Sequence, residues 1–514
     1  MLKSSAAVAA ATMASRLLGL VREVVYARFM GAGWVADAFT LAYMVPNLFR
    51  RLLGEGALTA AFIPIFKQTE KQDGKEATWK AANAVLCGLA LLLLGLVLVG
   101  LAGVTLVLQL PVFEGKTRLM LELLRVMFPY VLLVCVAALF TGILNARGHF
   151  FVPALGSLLL NIVLIGAVLW GAPRMGLELH EQIFGLALGV LAAGVAQAVF
   201  QWPLLRSEGF RLRWVTPWSH PVVRRVLQRM IPGIMGVAAY QINVLVTNGI
   251  AFHVDNAVVA SFNYAVRLME FPQGVFGLSL ASYLLPTLAG LAAAKDYPEF
   301  RKTLQNGLGY LVLLNLLAGV LLMVLAEPIV RLLFERGRFD AADTARAARA
   351  LTCLAPGLVA FSAVNILARA FYALGDLRTP VRISMLCLTL NVLVVLALIW
   401  RFKEAGMGMA NSATAILNAG LLAYALKRKL SGLDWRPWRR LAPAMLGATL
   451  LAGVAAWWLR GRTDWWLGHE GFWARGAGVF LPALAATLVY GVSAHWLRVP
   501  YVNELCRLMI GKSR

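Results

Sequence analysis

Residues 81–109 read AANAVLCGLALLLLGLVLVGLAGVTLVLQ, with no Asp, Glu, Lys or Arg among them. A helix rises ~1.5 Å per residue and the hydrocarbon core of a bilayer is ~30 Å thick, so about 20 apolar residues suffice to cross it. This stretch exceeds that length and is predicted to be a transmembrane helix. Apolar runs of similar kind recur outward from it, near 6–29, 35–66, 120–145, 152–171, 183–204, 226–251, 258–291, 304–326, 345–373, 380–401, 407–427, 441–459 and 472–497. The fold class expected is therefore an all-α polytopic membrane protein of about fourteen transmembrane helices. The 35–66 run is too long for one straight span, and Pro46 and Gly54 are expected to bend or break it.

Composition supports the same class. Hydrophobic residues make up 60% of the 514 and charged residues 14%, against roughly a quarter charged in an ordinary soluble domain. The net charge of +23 would suit a nucleic-acid binder, because basic side chains neutralise phosphates. The positions exclude that reading: Lys67, Lys71, Lys75 and Lys80, then Arg206, Arg211, Arg213, Arg224 and Arg225, then Lys427, Arg428, Lys429, Arg436, Arg439 and Arg440 all sit in short loops beside apolar runs. Positive charge there fixes which side of the membrane a loop occupies, and the alternation predicts cytoplasmic N- and C-termini. The first apolar stretch, after Lys3 and with Ala14-Ser15, has the look of a signal peptide. It continues through Arg16 and Arg22 to Phe29, so a retained helix is expected. Cys87, Cys135, Cys353, Cys387 and Cys506 are scattered, which indicates neither a disulfide framework nor a metal cluster.

An internal repeat links the two halves. Ala146-x-Gly148-His149-x-x-x-Pro153 returns as Ala373-x-Gly375-Asp376-x-x-x-Pro380, and Pro129 and Pro356 precede the two copies by the same interval. An offset spanning six helices predicts two parallel six-helix lobes, 1–220 and 221–430, followed by a terminal helix pair and tail, 431–514. Repeated bundles with a substrate held between them are a common transporter design. The 327–344 loop, with Glu335-Arg336-Gly337-Arg338, reads as a short interfacial helix and turn.

The functional signal lies in ionisable residues inside apolar runs. A charge at the bilayer centre costs roughly 2.5–3.5 kcal/mol even on lenient scales, so such groups face a wet cavity or one another. Arg28, Arg51 and Glu23 stand near helix ends or beside a partner, where snorkelling or pairing explains them as well as function does. Arg16, Arg22, Arg50 and Arg267 lie on three helices and are not matched one-to-one by carboxylates. A cleft lined by guanidinium groups suits an anion, and Arg grips phosphate oxygens through two parallel hydrogen bonds where Lys offers only charge. Asp37, Glu55 and Glu270 are expected to orient these arginines or to meet the polar part of a ligand. Asn161, Asn243, Asn248, Asn263, Asn391 and Asn418 read as interhelical hydrogen-bond partners. There is no HExxH, Walker loop or GxSxG elbow, and no cofactor, metal or catalytic residue is expected.

The run Ser15-Arg16-x-Leu18-Gly19-x-x-Arg22-Glu23, with Gly31-Ala32-Gly33, Asp37-Ala38-Phe39 and Pro46-Asn47-Leu48-Phe49-Arg50-Arg51, closely resembles the MurJ (MviN) family. The likeness continues through Glu55-Gly56-Ala57, Ala61-Phe62-Ile63-Pro64, Arg267-Leu268-Met269-Glu270-Phe271-Pro272 and Phe371-Tyr372-Ala373. It implies a lipid II flippase of the multidrug/oligosaccharidyl-lipid/polysaccharide exporter superfamily, in the bacterial inner membrane, which serves peptidoglycan synthesis beside cell-wall synthesis proteins. The implied substrate is undecaprenyl diphosphate bearing a disaccharide-pentapeptide. The implied site is a cationic cavity holding Arg16, Arg22, Arg50 and Arg267, with Glu23, Asp37, Glu55 and Glu270 as substrate-site residues beside them. The resemblance also implies that the terminal pair lines a groove for the lipid tail, and Trp457, Trp458, Trp465, Trp466 and Trp473 fit aromatic anchors at its external end. Val266 stands where many members have Asp, and no acidic residue lies well inside the seventh or eleventh helix, so the sodium site of some relatives is not expected. The alternatives are a flippase for another polyprenyl-diphosphate-linked glycan, a cation antiporter, which would want acidic walls, and a membrane glycosyltransferase, which would need a catalytic base.

Overall fold

The computed structural model describes residues 2–430, 436–468 and 470–502. It is all-helical, with no strand among the described residues. In chain order the helices are α1 (Leu2–Met30), α2 (Trp34–Phe49), α3 (Ala57–Leu108), α4 (Gly115–Met127), α5 (Tyr130–Ala146), α6 (Phe151–Gly166), α7 (Leu179–Ser207), α8 (Pro221–Phe252) and α9 (Val258–Pro272). There follow α10 (Ser279–Ala293), α11 (Tyr297–Val324), α12 (Ala326–Phe334), α13 (Ala341–Leu354), α14 (Leu358–Ala373), α15 (Arg378–Lys429), α16 (Arg436–Leu467) and α17 (Phe472–Trp496).

Each expected apolar run is helical, but the boundaries follow backbone chemistry rather than hydropathy. The break anticipated at Pro46 is a π-helical stretch, Arg50–Gly56, where the proline's missing N–H and two glycines loosen the ladder. A second π-helical stretch, Gln273–Leu278, follows Pro272. Helix α3 contains a break at Gly74 (φ 80°), and α15 one at Lys403 (φ 50°), so each is two helices end to end. Among the described residues, nine helices are long and apolar enough to cross a membrane, or ten if α4 and α5, bent by 42°, form one span. Helix α1, which carries Arg16, Arg22, Glu23 and Arg28, is not among the nine. Fourteen crossings thus exceed what length and composition alone establish.

The chain divides into two compact units, one comprising residues 1–259 with 336–339 and the other 260–335 with 340–514. In the first, an aromatic seam runs from Phe62 through Phe66, Trp79 and Phe210 to Trp202, with ring centroids 5.4–6.1 Å apart. Helix α8 packs on α2 and α3 and belongs to this unit. The second unit has a core of Leu284, Phe300, Leu304, Ile366, Phe371 and Leu422. Helices α16 and α17 pair through small residues, with Ala448, Ala452 and Ala456 fully buried near Ala486, Tyr490 and Ala494. Small side chains let membrane helices approach where no hydrophobic force drives them together. Tyr490 Oη, donating to Leu313 O at 2.8 Å, ties the hairpin to α11.

The repeat extends to the backbone. Gly148 (φ 89°) and Gly375 (φ 74°) occupy the left-handed region that glycine tolerates. The amide of His149 donates to Leu144 O and that of Asp376 to Phe371 O, both at 2.9 Å, which is the same helix-ending motif twice. The 327–344 loop forms helix α12 and then a turn at Gly337 (φ 65°), as expected.

Candidate functional site

Helix α1 of the first unit carries the densest set. Arg22 is largely buried. Its Nη1 donates to Asn161 Oδ1 of α6 at 3.1 Å, its Nη2 pairs with Glu23, and its guanidinium lies 5.5 Å from the centre of the Tyr26 ring. Asn161 Nδ2 donates in turn to Ser15 O and Ser157 O. Asn161 therefore clamps α6 to α1 and aims Arg22, the interhelical role expected of it. Arg22 Nε, although buried, has no acceptor among the described residues. Arg16, two turns earlier, is exposed.

Arg50 stands where α2 gives way to the π-helical stretch, and its Nε donates to Asn47 Oδ1 at 2.8 Å. Neighbouring Arg51 reaches Gln241 Oε1 of α8 at 3.4 Å. Glu55 lies in the same stretch, with its side chain outside the described ones. Asp37 is fully buried, and its Oδ2 accepts from Lys116 Nζ at 2.7 Å. That ammonium also donates to Phe252 O and Asp255 O, both at 2.8 Å, so its three protons meet three acceptors from α2, the end of α8 and the loop beyond it. Reasoning from sequence missed Lys116, which sits in the first turn of α4 outside any apolar run and has no motif to mark it.

In the second unit, Arg267 of α9 pairs with Glu270 one turn later at 2.8 Å, and both are partly exposed. Arg22 and Arg267 thus each have a carboxylate partner on their own helix. The geometry brings Arg22, Glu23 and Asn161 together on α1 and α6, leaves Arg16 exposed on α1, sets Arg50 beside Asn47, and sets Arg267 beside Glu270. No group of three or more His, Cys, Asp or Glu able to hold a metal occurs among the described residues. Guanidinium groups fixed by neighbouring amides and carboxylates can bind an anion; they do not assemble a nucleophile or a general base.

Long apolar helices, a helix pair joined through small residues, and charged groups confined to a few helix positions define a multi-pass membrane protein of the transporter class. Its backbone resembles an inward-facing multidrug resistance MATE family transporter of the MOP superfamily, with a TM-score of 0.67 at 15% identity over 82% of this chain and 95% of that one. It resembles more fully a structure described as lipid II flippase MurJ in an inward closed conformation, with a TM-score of 0.76 at 22% identity over 95% of this chain and 97% of that one. The family model for lipid II flippase MurJ matches residues 26–474. Lipid II flippase MurJ of Burkholderia cenocepacia is 34% identical over 87% of this chain and 88% of its own length. A probable lipid II flippase MurJ of Rhizobium meliloti is 34% identical over 89% and 87%. The chain belongs to the MurJ family, a family of transporters and not of enzymes.

Proposed function

We propose that this chain is a lipid II flippase of the bacterial inner membrane, carrying the precursor from the cytoplasmic to the outer leaflet by alternating access. The observation that carries the reading, beside family membership, is Arg22: a largely buried guanidinium, oriented by Asn161 and Glu23, that retains a donor without an acceptor among the described residues. Buried donors in proteins are nearly always satisfied, so an orphan on a fixed arginine marks a place for an anion. The residues assigned to the diphosphate are Arg16, Arg22, Arg50 and Arg267. Glu23 and Glu270 orient arginines, Asp37 acts through Lys116, and Glu55 meets the polar part of the ligand. The repeat-related segments 1–220 and 221–430 are the lobes, and α8, which packs within the first compact unit, moves with that unit. Residues 431–514 shelter the polyprenyl tail, since exposing it would cost ~0.8 kcal/mol per CH₂. Fourteen spans with cytoplasmic termini, and cell-wall synthesis proteins that consume the product outside, complete the proposal.

The test is replacement of the native lipid II flippase by this chain in a depletion strain. Growth with normal wall synthesis is expected. Lysis despite good membrane expression would redirect the assignment to another polyprenyl-diphosphate glycan.

A further inference from the structure

The last turns of α16 form an open cleft of about 620 Å³, lined by Trp457, Trp458, Arg460, Gly461, Arg462 and Trp465. That volume lies within the ~300–1,000 Å³ typical of small-ligand sites. The two arginines differ in what they have left to offer. Arg460 Nη1 donates to Val324 O at 2.9 Å and Nη2 to Glu327 Oε2 at 2.6 Å, and its Nε lies 3.7 Å from Asp464. Its charge is compensated and it serves as a wall. Arg462 is exposed, with its guanidinium 5.3 Å from the centre of the Trp458 ring, and no carboxylate among the described residues pairs with it. Stacking on an indole orients the guanidinium while leaving its N–H edges open.

The floor is Gly461. Glycine inside a helix costs roughly 0.5–1 kcal/mol relative to alanine, and a Cβ here would meet no protein atom within 4 Å. Nothing among the described residues requires glycine at this position, whereas a side chain there would fill the cleft. The walls are tryptophans that remain 67%, 55% and 77% exposed, at positions 457, 458 and 465, near the end of an apolar span. Indoles so placed belong at the boundary between acyl chains and headgroups.

We propose that this cleft binds the headgroup of an anionic phospholipid. The phosphodiester is gripped by Arg462, and the glycerol and upper acyl region lie against Trp457, Trp458 and Trp465. The ligand is a resident membrane lipid, distinct from the transported one. Charge complementarity sets the class: the cleft presents one uncompensated cation, Arg462, which attracts a phosphodiester of net negative charge and repels the ammonium of a choline headgroup.

The experiment uses the purified full chain, stripped of lipid and titrated with phosphatidylglycerol, with adducts counted by native mass spectrometry and melting followed in parallel. Loss of a charge-assisted, two-pronged contact weakens binding about tenfold. Arg462→Gln and Gly461→Leu should each show that loss with an unchanged melting temperature, and Arg462→Lys a smaller one. Equal phosphatidylglycerol binding by wild type and both variants overturns the site. So does equal binding of phosphatidylcholine by the wild type, or saturation by inorganic phosphate alone.

Discussion

Arg22 and Lys116 show how differently two cations can be placed in one membrane unit. Lys116 gives all three protons to fixed acceptors, including the fully buried Asp37. Arg22 keeps one donor unused among the described residues. The first arrangement is structural, and removing one partner of a buried pair costs about 3–5 kcal/mol. Lys116→Met should therefore lower the melting temperature sharply, and Asp37→Asn combined with Lys116→Met should recover much of the loss. Recovered melting without recovered transport would give Asp37 a direct part in binding. The second arrangement is the one we propose to serve transport. Alanine at Arg16, Arg22, Arg50 or Arg267 should abolish or badly impair complementation in the depletion strain, with lysine partly active at some positions because it keeps charge and loses the fork. Four active alanine variants at normal expression would remove the cationic site. The arginines were legible in the sequence because charge is conspicuous in an apolar run. Their partners were only half legible: Glu23 and Glu270 are near neighbours in sequence, but the clasp between Arg22 and Asn161 spans from α1 to α6.

At the scale of elements, hydropathy located the helices well and their breaks poorly. The break at Pro46 could be anticipated because proline removes a hydrogen-bond donor. The positive φ of Lys403 could not, since nothing in a lysine's chemistry asks for it. The repeated helix ends at Gly148 and Gly375 were visible as matching letters, and the structure supplies what each does next. His149 Nε2 lies 2.7 Å from Glu208 at the end of α7, while Asp376, at the equivalent position, pairs with Lys429 at the end of α15. In the first copy the carboxylate lies at the end of the later helix and in the second it lies in the turn itself. The hydrogen bond from Lys429, aided by the Thr379 amide, holds the Asp376 carboxyl well below the usual carboxylate range. A carboxyl with a depressed folded pKa stabilises above its unfolded pKa, ~3.9, and that contribution fades as pH falls further toward the folded value. The wild-type melting temperature should therefore exceed that of Asp376→Asn by a constant margin from pH 8 to 5, and the margin should shrink below about pH 4. A margin that instead vanished near neutrality would mean that a different group controls this helix end.

For the whole molecule, the chain divides into two compact units, and each carries some of the candidate arginines. Residues 336–339 group with the first unit although the chain on either side of them belongs to the second. Arg338 explains the grouping: its amide donates to Arg28 O at 3.1 Å and its Nη1 to Phe29 O at 3.0 Å, both at the end of α1. Gly337 permits so close an approach, because a Cβ there would lie 2.4 Å from Arg28 O. If the diphosphate is handed across the membrane by alternating access, the units must move as bodies while each keeps its own core, since packed interiors switch between discrete arrangements rather than deform continuously. Paired cysteines that freeze the two units against each other, introduced into a background lacking the native thiols, should then stop lipid II transport under oxidising conditions. A reductant should restore it, and single-cysteine controls should be unaffected. Transport by a fully crosslinked chain at the uncrosslinked rate would show that the lipid crosses without movement of the units, along a fixed path. The arginines would then act as a static ladder of phosphate sites, and substitutions at Arg16, Arg22, Arg50 and Arg267 should slow passage in graded steps rather than abolish it.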